Sequence, residues 1–378
     1  MAADDDKTTG LNTQSVLAMR SAGYYSERTA GARLVIEKAL PMVMEALDKG
    51  PKLPLLRLAD YGSADGGTSR GMWHEVINRL RQAGDDRQIE MLYTDLPSND
   101  FSTLFRMMQG MQGDPALAYQ AQHDNVFVHG CGTGFHQQLA ADASLSLGFS
   151  ATAMHYVSEK PCQIAGHVHM VGADPEEQAA FAAQAAADWE RILLARAAEL
   201  APGGRFICVN FGIDEQGRYL GHTGGVSMFD RFDAHWRALR DNGSITATEY
   251  RDASFAQHYR TVEEFRAPLD DPDSAVSRAG LRLVSQSTML TRCPYRVAFE
   301  EQAGAMSASD FAASLLPTMR SWSETVFRTA LSEERDAAEA AAIIDSFYGA
   351  YEAEVAANPD GHAMDYIHVI MEIEKTAD

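Results

Sequence analysis

The run Leu55-Leu56-Arg57-Leu58-Ala59-Asp60-Tyr61-Gly62-Ser63-Ala64-Asp65-Gly66-Gly67-Thr68 is the stretch on which the fold turns. An apolar segment closes on an acid, a glycine-bearing turn follows, and a helical pattern begins near Ser69. Strand, tight loop and helix in that order open a doubly wound α/β sheet. Glycine lets a loop backbone approach a ligand, because it has no side chain and tolerates positive φ. The acid at the strand tip argues against a phosphate cradle, since a buried carboxylate repels phosphate and suits an ammonium or a ribose hydroxyl. Neither a Walker lysine nor the Gly-x-Gly-x-x-Gly spacing is present. On this stretch alone, a nucleoside-type ligand stands beside an ordinary structural strand-turn-helix.

The next elements bear on that choice. Ile89-Glu90-Met91-Leu92-Tyr93-Thr94-Asp95-Leu96 reads as a second strand that also ends on an acid. A carboxylate there can accept both hydroxyls of a ribose. Two acids at adjacent strand tips are more specific than either alone. Asn99 or Asp100 is expected to cap the following helix. An extended run over 125–130 leads into a second glycine turn, Cys131-Gly132-Thr133-Gly134-Phe135. Residues 144–150 read as another buried strand, with Thr152, His155 and Tyr156 just past its carboxyl end, where such sheets hold ligands.

One helix is expected over 34–47, ahead of the first strand, and others over 73–82 and 188–200. Strands are expected at 205–211, 281–290 and 365–374. Helices are expected over 311–330 and 333–356, the last capped by Ser332. The expected organisation is a mobile N-terminus over 1–20, an α/β core over 21–211, a helical cap inserted at 212–280, and the remaining core strands with cap helices over 281–378.

The formal net charge is -21, from 53 acidic and 32 basic residues in a chain of 378. That balance disfavours nucleic acid and anionic membrane, both of which need a basic face. The four cysteines show no CxxC pairing, so neither a disulfide framework nor a zinc site is expected, and a cytoplasmic location fits. The N-terminus is acidic and lacks an apolar segment, so no signal peptide is expected.

Together these pieces resemble the SABATH methyltransferases, which include plant salicylic and benzoic acid carboxyl methyltransferases and the caffeine-pathway N-methyltransferases. Four runs carry the resemblance, which extends from about Gly23 to Glu374. Ala59 to Thr68 is similar to the family's Ala-Asp-Leu-Gly-Cys-Ser-Ser-Gly-Pro-Asn. Asp95-Leu96-Pro97-Ser98-Asn99-Asp100-Phe101 resembles its Asp-Leu-Pro-x-Asn-Asp-Phe. Ser144 to Pro161 is similar to the segment from Ser-Leu-His-Phe through Trp-Leu-Ser-x-x-Pro, and Arg196 to Arg205 to Arg-x-x-Glu-Leu-x-Pro-Gly-Gly-Arg.

The resemblance implies a class I, Rossmann-like α/β core that binds S-adenosyl-L-methionine (SAM) beneath a helical cap, and a homodimer. It implies Asp60 and Gly62 beside the methionine end of SAM, Asp95 on the ribose, and Leu96, Gly134 and Phe135 around the adenine. Tyr25 and Thr29 would lie near the SAM carboxylate. His155, Tyr156 and Thr152 fall at acceptor positions. The departures are as informative. The glutamine that binds the acceptor carboxylate in the carboxyl methyltransferases falls on Ala32, its helping tryptophan on Tyr156, and a further tyrosine on Thr152.

The expected activity is methyl transfer to a small-molecule acceptor, foremost O-methylation of a carboxylic acid. N- or phenol O-methylation of a heteroaromatic acceptor is the alternative, and a non-catalytic SAM-binding protein is a third reading. A carboxylate needs no general base, whereas a phenol or ring nitrogen can use one, with His155 as the candidate and Tyr156 as a hydroxyl donor. His155 read as a structural histidine stands against that role. No metal is expected. His167 and His169 share a strand face, yet no further ligand accompanies them. Arg33 is a weak substitute for the lost carboxylate contact. Met228, Phe229 and Trp236 read as packing in the cap.

Overall fold

The computed structural model of the chain describes residues 30–302 and 304–376. Two helices, α1 (Ala30–Lys38) and α2 (Leu40–Lys49), precede the sheet. They replace the single helix expected over 34–47. Pro41 sits in the first turn of α2, where it lacks an N–H and cannot continue α1.

Strand β1 (Leu55–Tyr61) leads to α3 (Arg70–Gln82), β2 (Gln88–Asp95), α4 (Phe101–Met108) and the short α5 (Tyr119–Gln122). Asp100 is the cap of α4, its carboxylate accepting from Thr103 N. Then follow β3 (Val126–Gly132), β4 (Leu145–Ala151), α6 (Pro175–Glu199) and β5 (Leu200–Ile213). Helix α6 starts thirteen residues before the expected 188, because Asp174 and Glu177 form a reciprocal capping box around Pro175. The Pro202-Gly203-Gly204 turn lies inside β5, where the pairing with β4 shifts between Leu145 and Leu147.

After β5 come α7 (Met228–Asp241), α8 (Ala247–Asp252), β6 (Arg260–Thr261), α9 (Val262–Asp270), α10 (Ala275–Arg278) and β7 (Leu281–Thr291). The chain closes with α11 (Pro294–Glu301), α12 (Ala308–Thr329), α13 (Ala337–Ala357) and β8 (Tyr366–Lys375). The cap of α13 is Asp336, which accepts from Glu339 N at 2.8 Å, and not Ser332, which caps only the turn before it.

The strands form one sheet in the order β3-β2-β1-β4-β5-β8-β7, with β6 paired to β5. Strands β1 to β5 run parallel, and β8 is antiparallel to both β5 and β7. The chain order reverses at β1, between β2 and β4, and that switch point opens a crevice at the strands' carboxyl ends.

Both faces of the sheet are covered, so its central strands are apolar on both sides. Leu56, Leu58, Ile207 and Val209 pack on one face, and Ala59, Tyr61, Phe206 and Cys208 on the other. The expected cap span of 212–280 divides in the structure. Helix α7 packs its buried Phe229, Phe232 and Trp236 against α12 and α13 residues such as Trp322, Phe327 and Phe347. Phe265 of α9, by contrast, packs edge-on to Trp189 of α6 beneath the sheet.

Candidate functional site

The tips of β1, β2 and β3 converge through backbone chemistry. Gly62 N and Ser63 N both donate to Thr94 O, which lays the first glycine loop across the end of β2. Asp95 then accepts Ala64 N on one oxygen and Leu96 N on the other, each at 2.7 Å. Asn99 completes the tie by donating to Ala64 O at 2.7 Å. Each Asp95 oxygen keeps a lone pair, so the carboxylate can still accept two hydroxyls. Burial pushes its pKa up, against the two amides that lower it.

Asp60 is buried one residue from the end of β1 and accepts Trp73 Nε1 at 2.9 Å. Burial pushes its carboxyl up to about 6, while the nearby Ser69 hydroxyl and the Trp73 hydrogen bond pull the other way and the Asp95 charge adds a smaller rise. A carboxylate so placed favours a cation nearby, because a cation offsets the cost of burying its charge. Gly62 has φ +73°, and a Cβ there would lie 2.4 Å from Ala153 Cβ. The loop is thus pressed against the segment after β4, which only glycine permits. Leu96 faces Gly134, whose own Cβ would meet the leucine at 3.5 Å, and Phe135 borders Gly62. Asp60, Gly62, Asp95, Leu96, Gly134 and Phe135 are therefore brought together at one end of the sheet. Tyr25 and Thr29 lie outside the described residues.

The second glycine turn is held from below. Arg196 and Glu199, both fully buried, pair side-on at 2.7 and 2.8 Å. Arg196 also donates to Phe135 O and Gln137 O, and Glu199 accepts from Leu139 N and the Tyr61 hydroxyl. The Arg-x-x-Glu run thereby fastens the turn that carries Gly134 and Phe135 to the end of β1.

A cavity of about 430 Å³, counting its mouth, opens beside this loop. Thr152, His155 and Tyr156, which the sequence singles out, all line it. Thr152 has φ +56°, a costly conformation for a β-branched residue of the kind found at working sites. Ala32, Phe211, Leu220, Trp322, Met364 and Tyr366 add an almost wholly apolar wall, and Gln257 and Tyr259 a polar edge. His155 is buried, and burial drags its pKa down to about 3, with Asn210 opposing. It is a neutral imidazole, and its Nδ1 has no hydrogen-bond partner. Arg260 anchors the segment by donating to Met154 O at 2.8 Å.

Sequence reasoning did not find Gln257, Tyr259, Tyr366 or Trp322 as site residues. They come from distant segments that carry no local motif. The only trace is for Tyr259, in the aromatic-dotted stretch expected between about 212 and 278. Arg33 lines a different cavity, with Glu37 and Arg70, so it does not replace the lost contact. His167 Nδ1 lies 2.9 Å from His169 O, and the His169 ring stacks on Phe229 at 3.9 Å, so the pair acts in packing and turn capping. Among the described residues, no three His, Cys, Asp or Glu converge on a metal position.

The model of the SAM dependent carboxyl methyltransferases matches residues 21–376. The chain belongs to that family. Curated relatives of this carboxyl methyltransferase family member include methyltransferase FUS9 of Gibberella moniliformis, 29% identical over 192 residues, covering 50% of either chain. Indole-3-acetate O-methyltransferase 1 of Arabidopsis thaliana is 24% identical over 208 residues, covering 52% of this chain and 54% of that one. The chain spans about half the length of these relatives. Among solved structures, a loganic acid methyltransferase with SAH superposes with a TM-score of 0.72 at 16% identity, over 95% of this chain and 98% of that one. That likeness shows the class I methyltransferase fold. Among the described residues, no helix is long and apolar enough to cross a membrane.

Proposed function

We propose that the chain is a SAM-dependent methyltransferase that methylates the carboxylate oxygen of a small molecule. One observation carries this reading: the glycine loop and the apolar cavity meet within one residue. Ala153 presses on Gly62, and its neighbour Thr152 lines the cavity. A donor and an acceptor held on either side of that contact are close enough for in-line displacement.

The residues fit SAM. Asp60 is a buried carboxylate that a cation would stabilise, Asp95 keeps lone pairs for two hydroxyls, and Leu96 and Phe135 set apolar surface beside the two glycine turns, on which a flat base would rest. SAM, when bound, supplies a methyl carbon already activated by its positive sulfur. The chain therefore has only to hold the acceptor, orient it and exclude water. The neutral His155 supports a carboxylate acceptor. A group with a pKa near 3 is a poor general base at neutral pH, and an ionised carboxylate needs none. Its N–H can still donate to that carboxylate, as can the Tyr156 hydroxyl.

The test is radiolabelled methyl transfer across indole-3-acetate, benzoate, fatty acids, phenols and nitrogen heterocycles. Ester formation from an acid is expected. Transfer to a heterocycle or phenol alone would overturn the carboxylate reading. The proposal extends to a cytoplasmic homodimer, supported by four cysteines that remain thiols and by the family resemblance. Light scattering of the purified chain at the mass of a monomer would refute the dimer.

A further inference from the structure

The polar edge of the acceptor cavity contains a carboxamide whose two ends are assigned by their surroundings. Gln257 is 1% exposed yet lines the cavity. Its Oε1 accepts the Tyr259 hydroxyl at 3.3 Å. Tyr259 is itself buried, and burial raises its pKa well above the usual range, so its hydroxyl stays protonated and donates. With the oxygen engaged by Tyr259 and the side chain also beside His169, the amide N–H groups are the part of Gln257 left to serve a ligand at the cavity edge. Gln257 also forms an isolated antiparallel bridge with Tyr156. Bridge partners project side chains from the same face, about 5 Å apart, so Gln257 stands beside Tyr156 along the cavity wall. Ala32, also in the lining, offers only a methyl group.

We propose that Gln257 binds the acceptor, its amide N–H donating to one oxygen of a carboxylate that lies beside Tyr156. The inference rests on the carboxyl methyltransferase reading. Among the described residues no lysine or arginine lines the cavity, and Phe211, Leu220, Trp322 and Met364 make its walls apolar. A neutral donor such as the Gln257 amide can hold a carboxylate there.

The test measures methyl transfer from radiolabelled SAM to benzoate and hexanoate by the full chain, with SAM affinity followed by calorimetry. Gln257→Leu is expected to lose about tenfold to a hundredfold in kcat/KM for the monoacids, the effect of one hydrogen bond to a charged group, with SAM affinity unchanged. Tyr259→Phe removes only the hydroxyl that orients the amide, and a smaller loss is expected. Should Gln257→Leu lose SAM binding as well, Tyr259→Phe and Gln257→Glu decide, the latter expected to lose most through repulsion of the acid. Wild-type kcat/KM in these variants overturns the role of Gln257 and leaves the methyltransferase reading intact. No acid methylated by the wild type overturns this inference and the parent reading together.

Discussion

At Asp95 a single carboxylate does two jobs. It ties the first glycine loop to the end of β2 through Ala64 N, and it keeps lone pairs facing the crevice. Asp95→Ala is expected to weaken SAM binding by about 1–3 kcal/mol, measured by calorimetry, because two hydroxyls and two backbone amides lose their acceptor. Asp60 differs, since its pKa near 6 places its charge within reach of ordinary buffers. SAM carries positive charge, so it favours the ionised form. Affinity for SAM is therefore expected to be full above pH 6 and to fall as pH drops through about 6, and Asp60→Asn should flatten that limb. His155 predicts the contrary behaviour. Its pKa of about 3 leaves it neutral from pH 5 upward, so kcat/KM for the acid should show no limb near 6.5. A limb there, abolished by His155→Ala, would restore His155 as a general base. The strand-tip acids were legible in the sequence because each closes an apolar run. The protonation of His155 was not, because it depends on burial by Phe211 and Tyr259, distant in the chain.

Among the elements, the link between α6 and the second glycine turn matters most. The last turn of α6 carries Arg196 and Glu199, whose paired side chains hold the backbone of residues 135–140 and the Tyr61 ring. Arg196→Met leaves Glu199 buried without its partner, which costs about 3–5 kcal/mol of stability. Chemical denaturation should register that loss, and SAM affinity should fall with it as Phe135 loses its anchor. The Arg-x-x-Glu pattern is plain in the sequence, but its purpose is not, because the turn it grips lies some sixty residues earlier. Element boundaries show the same division. The capping residues Asp100 and Asp174 are local signals, whereas the split between α1 and α2 reflects Pro41 together with the seating of Gly31 against the Tyr366 ring.

For the whole molecule, the buried histidines set the response to acid. His368 is fully buried between strands, and neither ring nitrogen has a hydrogen-bond partner. Burial drags its pKa down to about 3, and His155 and His169 are lowered in the same way. The folded state keeps these rings neutral, while the unfolded chain protonates them below about 6.5. Their contribution to stability is present above pH 6.5 and is lost as pH falls from there toward 3. For His155 and His368 the loss is up to about 2 kcal/mol each between pH 6.5 and 5. His368→Leu should leave stability at pH 7 unchanged or higher, and should reduce the acid loss by that amount in denaturation curves at the two pH values.

By itself the sequence determined the α/β class, the strand tips and the acids that close them, because strand, turn and acid are contiguous and their chemistry is local. It also showed that the acceptor clamp was changed, at Ala32 and Tyr156. Only the tertiary structure decided which residues line the cavity beside Tyr156. The antiparallel β8 brings Tyr366, the α12 helix brings Trp322, and the bridge at Tyr156 brings Gln257 to one cavity. These contacts form across hundreds of residues, where packing and burial, and not sequence spacing, choose the neighbours.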